Sequence, residues 1–438
     1  MKDWLKISLA LCTFGFFREF RPSEPFVTEF LSGEWRNITS DQLNREVYPI
    51  GTYATLGLLV IVFLITDILR YKPIIIASAC AGIIIWSMLL WTTSLLALQI
   101  VQVFYGFYMA AEVAYYTYMY AKVDKSKYQK VTGNARAAIL AGRFTASVVA
   151  QLLFSFEIMN LRDLNYLTLG AQSISLIVAV LLPSVGISLY FYSIPNESEN
   201  NSVSNDEVPK ETNEKTKEEP KFSFRRAYKL LWKHFLESYS NPKVVQWSFW
   251  WALAMAGFLM VQIYVQLLWQ DIDEDREFLL NAGVEATLTL FGAIAAFLAG
   301  YLTSKTFKKL DMWILTACSL LQGIFIVISS QTTLIWIAYA MYVMFGVLYS
   351  FMITIASAAV AQQLADDCFA LIFGINTLIA LVFQTILTVV VISYLDLSTR
   401  DQFLVYGFYF IALALVYLVT SIVKLVFFRN NDKYDIRD

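Results

Sequence analysis

Long apolar segments recur along the whole chain, and they constrain its fold more than any other feature. Each is about as long as the roughly 20 residues that an α-helix needs to cross a bilayer. Lipid offers the backbone no hydrogen-bond partners, so an α-helix is the structure that such a segment adopts. We predict twelve membrane-spanning segments: 5–30, 47–69, 73–92, 95–121, 137–157, 164–193, 243–269, 279–302, 312–330, 334–361, 370–394 and 402–428.

The composition agrees with a chain embedded in lipid. Hydrophobic residues make up 58% of it and charged residues 16%, against about 45–50% and about 25% in soluble domains. A net charge of −2 argues against a nucleic-acid partner. Four Cys without metal-ligand spacing and a single His234 argue against a disulfide scaffold, a zinc site and a Ser-His-Asp triad. We therefore expect no catalytic residues, metal or cofactor.

A polar segment, 194–242, divides the predicted spans six and six. This arrangement predicts an all-α membrane protein with twelve transmembrane helices in two six-helix bundles of the major facilitator type. The bundles are 1–193 and 243–428, and 429–438 forms a tail. The linker is rich in Ser, Asn, Glu and Lys and should begin disordered. Its later part, 222–239, is amphipathic, so we expect a helix on the membrane surface or against the bundle.

The distribution of basic residues predicts the orientation. Of the 33 Lys and Arg, 25 lie in segments that are cytoplasmic if both termini are inside, and five lie in the outer loops. Asn37 begins a glycosylation sequon on the outer side. Asp67 and Arg70 belong to a charged loop between spans 2 and 3. Such a loop is either a cytoplasmic latch, as in major facilitators, or a plain positively charged inner loop.

A first charged cluster lies within span 1. Pro22 and Pro25 cannot donate backbone hydrogen bonds, so the helix should break near them. A broken helix at membrane depth exposes groups to a substrate, and Glu24 is then a candidate contact. The alternative is that Glu24 only pairs with Arg21 to neutralise both charges.

A second cluster lies in span 4. Tyr105, Tyr108, Glu112, Tyr115 and Tyr116 fall on one helical face. A carboxylate among tyrosine rings suits an organic cation, through charge attraction and cation–π contact. The alternative is a protonated Glu112 that is hydrogen-bonded to a neighbouring tyrosine.

Other polar or aromatic residues in the spans are weaker candidates. Aromatic residues at span ends are commonly interface anchors. Arg143 in span 5 either extends to the cytoplasmic surface or pairs with a buried carboxylate. The remaining weaker candidates are Tyr48, Trp86, Asn281, Glu285 and Gln384.

Several motifs together resemble solute carrier family 19, the reduced folate carrier and thiamine transporter family. They cover nearly the whole chain except the linker and tail. They are RPSEPF at 21–26, TDILRYKP at 66–73, AAEVAYY at 110–116, YQKV at 128–131, WSFWWA at 247–252, NAGVEA at 281–286, FGINT at 373–377 and QFLVY at 402–406.

The resemblance implies a cation as cargo. Folate carriers, which bind an anion, have Arg at the places of Glu112 and Gly346 and Lys at the place of Gln384. The thiamine branch has Glu at the place of Glu112, and in this respect this chain resembles it. It further implies that Glu112 bonds the aminopyrimidine of thiamine, that Glu24, Tyr115 and Asn281 help to hold the ligand, and that Tyr48 and Trp86 pack on it. One departure is Gly51, where thiamine transporters carry Trp. Another is Tyr48, where they usually carry Phe.

We therefore expect a monomeric plasma-membrane transporter that imports thiamine by alternating access, with pyridoxine as a further candidate cargo. Two alternatives stay open: a carrier of reduced folate or another organic anion, and a membrane vitamin sensor built on a transporter fold. A membrane enzyme is disfavoured because the sequence shows no nucleophile–base set.

Overall fold

The computed structural model describes residues 3–123, 128–185, 224–273, 279–301, 307–361, 363 and 369–434. In the first half of the chain, helices occupy the six predicted spans, with interruptions in spans 1 and 4. Its helices are α1 (Asp3–Glu19), α2 (Val27–Ser32), α3 (Tyr48–Ile68), α4 (Lys72–Trp91), α5 (Leu95–Ala110), α6 (Glu112–Lys122), α7 (Tyr128–Ser155) and α8 (Asp163–Leu181). The predicted disordered start of the linker lies outside the described residues.

The second half begins after an amphipathic helix that occupies the predicted position, α9 (Phe224–Tyr239). The spans that follow are α10 (Pro242–Ile272), α11 (Asn281–Tyr301), α12 (Phe307–Gln331), α13 (Ile335–Ala361), α14 (Phe369–Thr388) and α15 (Thr399–Tyr434). Helix α14 continues as a π-helical turn, Val389–Tyr394, and α15 continues beyond the predicted end of span 12 at 428.

Eleven helices among the described residues are long and apolar enough to cross a membrane. They match predicted spans 2 to 12. Span 1 completes the predicted twelve, but it is divided into α1, a 3-10 turn at Glu24–Phe26, and α2. Helix α8 ends at Leu181, two residues before Pro183, and residues 186–193 of predicted span 6 lie outside the described residues.

The helices pack into two bundles. In the first bundle α1 lies against α7 and α8, and in the second α10 contacts α13, α14 and α15. The bundles meet mainly through two helix pairs, α7 with α11 and α3 with α14. The candidate site residues of spans 1, 4 and 8 therefore lie on elements close to this interface.

Polar contacts join the bundles at the end that carries Asn37, which we call the Asn37 end. Gln270 on α10 donates to the Ser32 hydroxyl at 3.0 Å and accepts from the Ser40 hydroxyl at 3.0 Å. Arg45 forms an ion pair with Asp396. These contacts hold the two bundles together at this end.

The loop between α3 and α4 turns through two residues with positive φ, Arg70 (58°) and Tyr71 (67°). Tyr71 is buried and its N–H donates to the Thr66 carbonyl at 2.9 Å, which fixes the turn. The side chain of Asp67 lies outside the described residues. The proposed latch between Asp67 and Arg70 therefore remains a prediction.

Arg36 closes the carboxyl end of α4. It is 5% exposed, and its Nη2 donates to the carbonyls of Met88 at 2.9 Å and Leu89 at 3.2 Å. The last carbonyls of a helix have no partners within the helix, and they carry the negative end of its dipole. A buried guanidinium satisfies both requirements, so Arg36 fixes the end of α4 against the loop that follows α2.

We expect Arg36→Met to lower the stability of the protein by about 1–3 kcal/mol, because buried carbonyls lose a charged donor. The apparent melting temperature in detergent should fall by a few degrees. Arg136→Met, which removes an exposed guanidinium, is the matched control and should leave it unchanged. Equal melting temperatures for the two variants would contradict this role of Arg36.

Candidate functional site

Two interrupted spans place a carboxylate at the first residue of a new helical segment. Glu24 begins the 3-10 turn that follows the break at Pro22. Glu112 begins α6, which is separated from α5 by the single residue Ala111. The first N–H groups of a helix have no partners within it, and they favour negative charge. The two interruptions therefore bring both candidate carboxylates to the start of a helical segment.

Glu19 is the centre of a buried ion network. Its Oε2 accepts from Arg21 Nη2 at 2.7 Å and from Arg143 Nε at 2.6 Å, and its Oε1 lies 3.4 Å from Arg18 Nη1. Glu19 and Arg18 are each 3% exposed. Arg143 thus pairs with a buried carboxylate, the second of the two interpretations of this residue. The network ties span 1 to span 5.

Sequence reasoning did not single out Glu19. Its signal was available, because Glu19 lies between two arginines, Arg18 and Arg21, in an otherwise apolar span. The third partner, Arg143, is 124 residues away and only the fold brings it close.

Arg21 and Arg18 each also reach one of the two candidate carboxylates. Arg21 Nη1 donates to Glu24 Oε1 at 2.8 Å, so the predicted pairing of these residues is present. Tyr105 donates its hydroxyl to the same oxygen at 2.7 Å. Arg18 Nη1 lies 4.0 Å from Glu112 Oε2, a looser approach.

In both pairs the carboxylate is much more exposed than its arginine partner. The side chains of Glu24 and Glu112 are 36% and 30% exposed, whereas Arg21 and Arg18 are 4% and 3% exposed. The carboxylates therefore face open space with their cationic partners behind them. Arg143 is 40% exposed and is the accessible cation of the group.

Three tyrosines of span 4, Tyr105, Tyr108 and Tyr115, hydrogen-bond to span 1. Tyr108 is fully buried, donates its hydroxyl to the Arg18 carbonyl at 2.8 Å, and lies under the Arg18 guanidinium, 4.4 Å from the ring centroid. Tyr115 is 2% exposed and donates to the Leu11 carbonyl at 2.9 Å. Tyr116 is half-buried, with its ring edge against Tyr115. Tyr108 and Tyr115 thus support the site from behind in this conformation.

Two further aromatic candidates hold the broken part of span 1. Trp86 on α4 is 3% exposed and donates its indole N–H to the Ser23 hydroxyl at 3.0 Å. The hydroxyl of Tyr48 lies 2.7 Å from that of Thr28. Ser23 immediately precedes Glu24 and Thr28 lies one turn after it, so these aromatic residues hold the chain on both sides of the break.

The second bundle contributes a polar pair on α11. Asn281 is 1% exposed, and its Oδ1 accepts from the Tyr339 hydroxyl at 3.0 Å. Its buried Nδ2 makes no hydrogen bond within the part of the chain that the structure describes. Glu285, one turn later, accepts from the Tyr342 hydroxyl at 2.8 Å. The ring of Trp269 meets both tyrosines edge to face.

The resemblance implies cations in folate carriers at the places of Glu112, Gly346 and Gln384, and none of these positions holds a cation here. Gln384 is buried on α14, and Gly346 is packed so closely that any side chain would meet Leu288. At Gly51, the place of a Trp in thiamine transporters, the side-chain amide of Gln102 lies in the space that a larger residue would need. An aromatic residue at 51 would therefore require Gln102 to move.

A separate crevice of about 480 Å³ lies at the linker end, away from these carboxylates. It is formed by α9, α10, α12 and α15, and its lining includes Tyr239, Gln246, Phe249 and Tyr417. None of the candidate residues lines it.

Comparison with known proteins agrees with the resemblance and with the fold. The family model described as Reduced folate carrier matches residues 2–405. Human Thiamine transporter 1 is 38% identical over 97% of this chain and 90% of its own length, and human Thiamine transporter 2 is 37% identical over 96% and 90%. The crystal structure of the POT family transporter PepTSo superposes with a TM-score of 0.66 at 12% identity over the full length of both chains. The predicted major facilitator fold is confirmed.

We expect Glu19→Gln to destabilise the protein by about 3–5 kcal/mol, because it leaves buried guanidinium groups without their shared carboxylate. The measurements are the melting temperature in detergent and the yield of monodisperse protein. Glu46→Gln, which changes an exposed residue, is the control. A melting temperature equal to that of the wild type would exclude Glu19 as the centre of the network.

Proposed function

Because this chain belongs to the reduced folate carrier family, we propose that it imports thiamine across the plasma membrane and is not an enzyme. Transport proceeds by movement of the two bundles about the site between them. The observation that carries the proposal is the pair of accessible carboxylates, Glu24 and Glu112, at two helix breaks beside the bundle interface.

The chemistry of thiamine suits this pair. Its thiazolium is a permanent cation that cannot lose its charge to cross lipid, so it needs an anionic site. Its aminopyrimidine offers a donor and an acceptor in one plane, which a carboxylate such as Glu112 can meet. The cation then competes with Arg21 for Glu24 and with Arg18 for Glu112, and aromatic faces add cation–π attraction. Among the aromatic residues, Tyr116 is half-buried and able to contact cargo, while Tyr48, Trp86, Tyr108 and Tyr115 position the segments around it.

The second bundle supplies the remaining contact. Asn281 has a buried amide N–H group that no residue of the described structure uses. An unused donor at this depth is unfavourable unless a ligand or water meets it. We assign it to the cargo, so that thiamine bridges the two bundles and favours their closure around it.

The same site disfavours an organic anion. Glu112 places a negative charge where folate carriers have a positive one, and Gly346 and Gln384 supply no cation. Pyridoxine, a smaller vitamin, is the second cargo to test, and no structural feature specifically favours a sensor.

The proposed orientation in the membrane follows from the distribution of basic residues. With both termini cytoplasmic, the Asn37 end faces outward and is closed in this structure. Asn37 is exposed in a turn with φ 54°, so an oligosaccharide could be attached there without unfolding the loop. We propose that a monomer carries out transport, since each chain contains both bundles.

Replacing Glu112 with Gln should reduce uptake of labelled thiamine by about 10- to 100-fold, as expected for loss of one charge-assisted hydrogen bond. Uptake is measured in cells, with surface biotinylation to show that the variant reaches the membrane. Glu237→Gln, an exposed carboxylate on α9, is the matched control and should transport normally. Unchanged uptake by Glu112→Gln would remove Glu112 from the site.

Binding to the purified protein should separate the candidate cargoes. A ligand that binds only the folded state raises its melting temperature. We expect a rise with thiamine, a smaller rise or none with pyridoxine, and none with folate. A rise with folate alone would contradict the proposed cargo and favour the anion carrier.

A further inference from the structure

Gln266 on α10 inserts its side-chain amide into the break of span 1. The Thr28 N–H donates to Gln266 Oε1 at 3.1 Å, and Gln266 Nε2 donates to the Glu24 carbonyl at 3.2 Å. In an uninterrupted α-helix this carbonyl and this N–H would bond to each other, because they are four residues apart. An amide from the other bundle therefore replaces one backbone hydrogen bond of span 1 with two of its own.

Glu24, whose carbonyl accepts from Gln266, also carries the carboxylate that is the candidate contact for the cargo. The carboxylate of Glu24 is fixed by Arg21 and Tyr105 on one side, and its carbonyl by Gln266 on the other. The Val27 N–H also donates to this carbonyl, which makes the turn 3-10 rather than α-helical. The direction of the Glu24 side chain thus depends on a break that Gln266 keeps open.

Withdrawal of Gln266 would leave the Glu24 carbonyl and the Thr28 N–H without these partners. At membrane depth such groups seek each other, which would extend α2 backwards and rotate Glu24 away from Arg21. Separation of the bundles at the Asn37 end withdraws Gln266 by necessity, since α10 belongs to the second bundle.

We infer that Gln266 is a positioning residue that couples closure of the Asn37 end to the aim of the Glu24 carboxylate. The inference deepens the proposed function and rests on it for the identity of the cargo. Closed bundles hold the break open and present Glu24 to the site. Separated bundles let the break relax and weaken the hold of Glu24 on the cation.

Gln270 provides a matched control. It lies one turn further along α10 and also bridges the bundles, but its side-chain hydrogen bonds among the described residues are to the hydroxyl groups of Ser32 and Ser40. Its loss weakens the Asn37 end without touching the backbone of the break. If replacing Gln266 weakens thiamine binding more than replacing Gln270, the difference therefore reports the positioning of Glu24 rather than the contact between the two bundles.

The first test measures thiamine affinity of the purified protein by calorimetry. Gln266→Met should weaken binding by about tenfold, as loss of two hydrogen bonds to backbone groups predicts, and Gln270→Met by less than about twofold. Added to Glu24→Gln, Gln266→Met should weaken binding no further, because the carboxylate that it aims is already gone. Equal losses for the two glutamine variants, or a full loss retained in the Glu24→Gln background, would overturn the inference.

The second test needs no cargo and separates this inference from the proposed function. Hydrogen–deuterium exchange of segment 24–32 should be faster in Gln266→Met than in the wild type and in Gln270→Met, because the Thr28 N–H then depends on the fraying first turn of a lengthened α2 instead of on the Gln266 side chain. If the wild type fails to bind thiamine while this difference persists, the proposed cargo is wrong and the role of Gln266 stands. Exchange that is the same in both glutamine variants would overturn it.

Discussion

Three arginines converge on Glu19 inside the first bundle, and the candidate site depends on that convergence. Buried charges are unfavourable unless they are paired, so the buried Arg18 and Arg21 are held where Glu19 can meet them, and the more exposed Arg143 completes the group. Arg21 then extends to Glu24. The network in this way fixes the broken part of span 1 against span 5 and leaves the Glu24 carboxylate facing open space.

The breaks in spans 1 and 4 serve the same physical purpose by different means. In span 1, Pro22 and Pro25 interrupt the backbone hydrogen bonds. In span 4 neither Pro nor Gly stands at Ala111, where the helix is interrupted. On either side of it, Tyr108 and Tyr115 donate to backbone carbonyls of span 1. Each break places a carboxylate at the first residue of the helical segment that follows it. Because free backbone groups are unfavourable in lipid, the open break in span 1 needs the amide of Gln266 from the other bundle.

Much of the site could be predicted from local sequence. The two prolines predicted the break in span 1, and the spacing of Tyr105, Tyr108 and Glu112 predicted that they share one helical face. Their hydrogen bonds could not be predicted in detail, because Tyr108 and Tyr115 bond to backbone carbonyls of α1 far away in the chain. The same limit hid the roles of Glu19 and Gln266, whose partners come from other spans.

The sequence by itself determined the class of this protein and the number of its spans. Long apolar segments must become helices in lipid, and motifs distributed along the chain identify the family, since both depend on residues that are close together in the chain. Only the tertiary structure decided which charges are paired, which carboxylates stay accessible, and which end of the bundles is closed. Burial and pairing depend on residues more than 100 positions apart, such as Glu19 with Arg143 and Thr28 with Gln266.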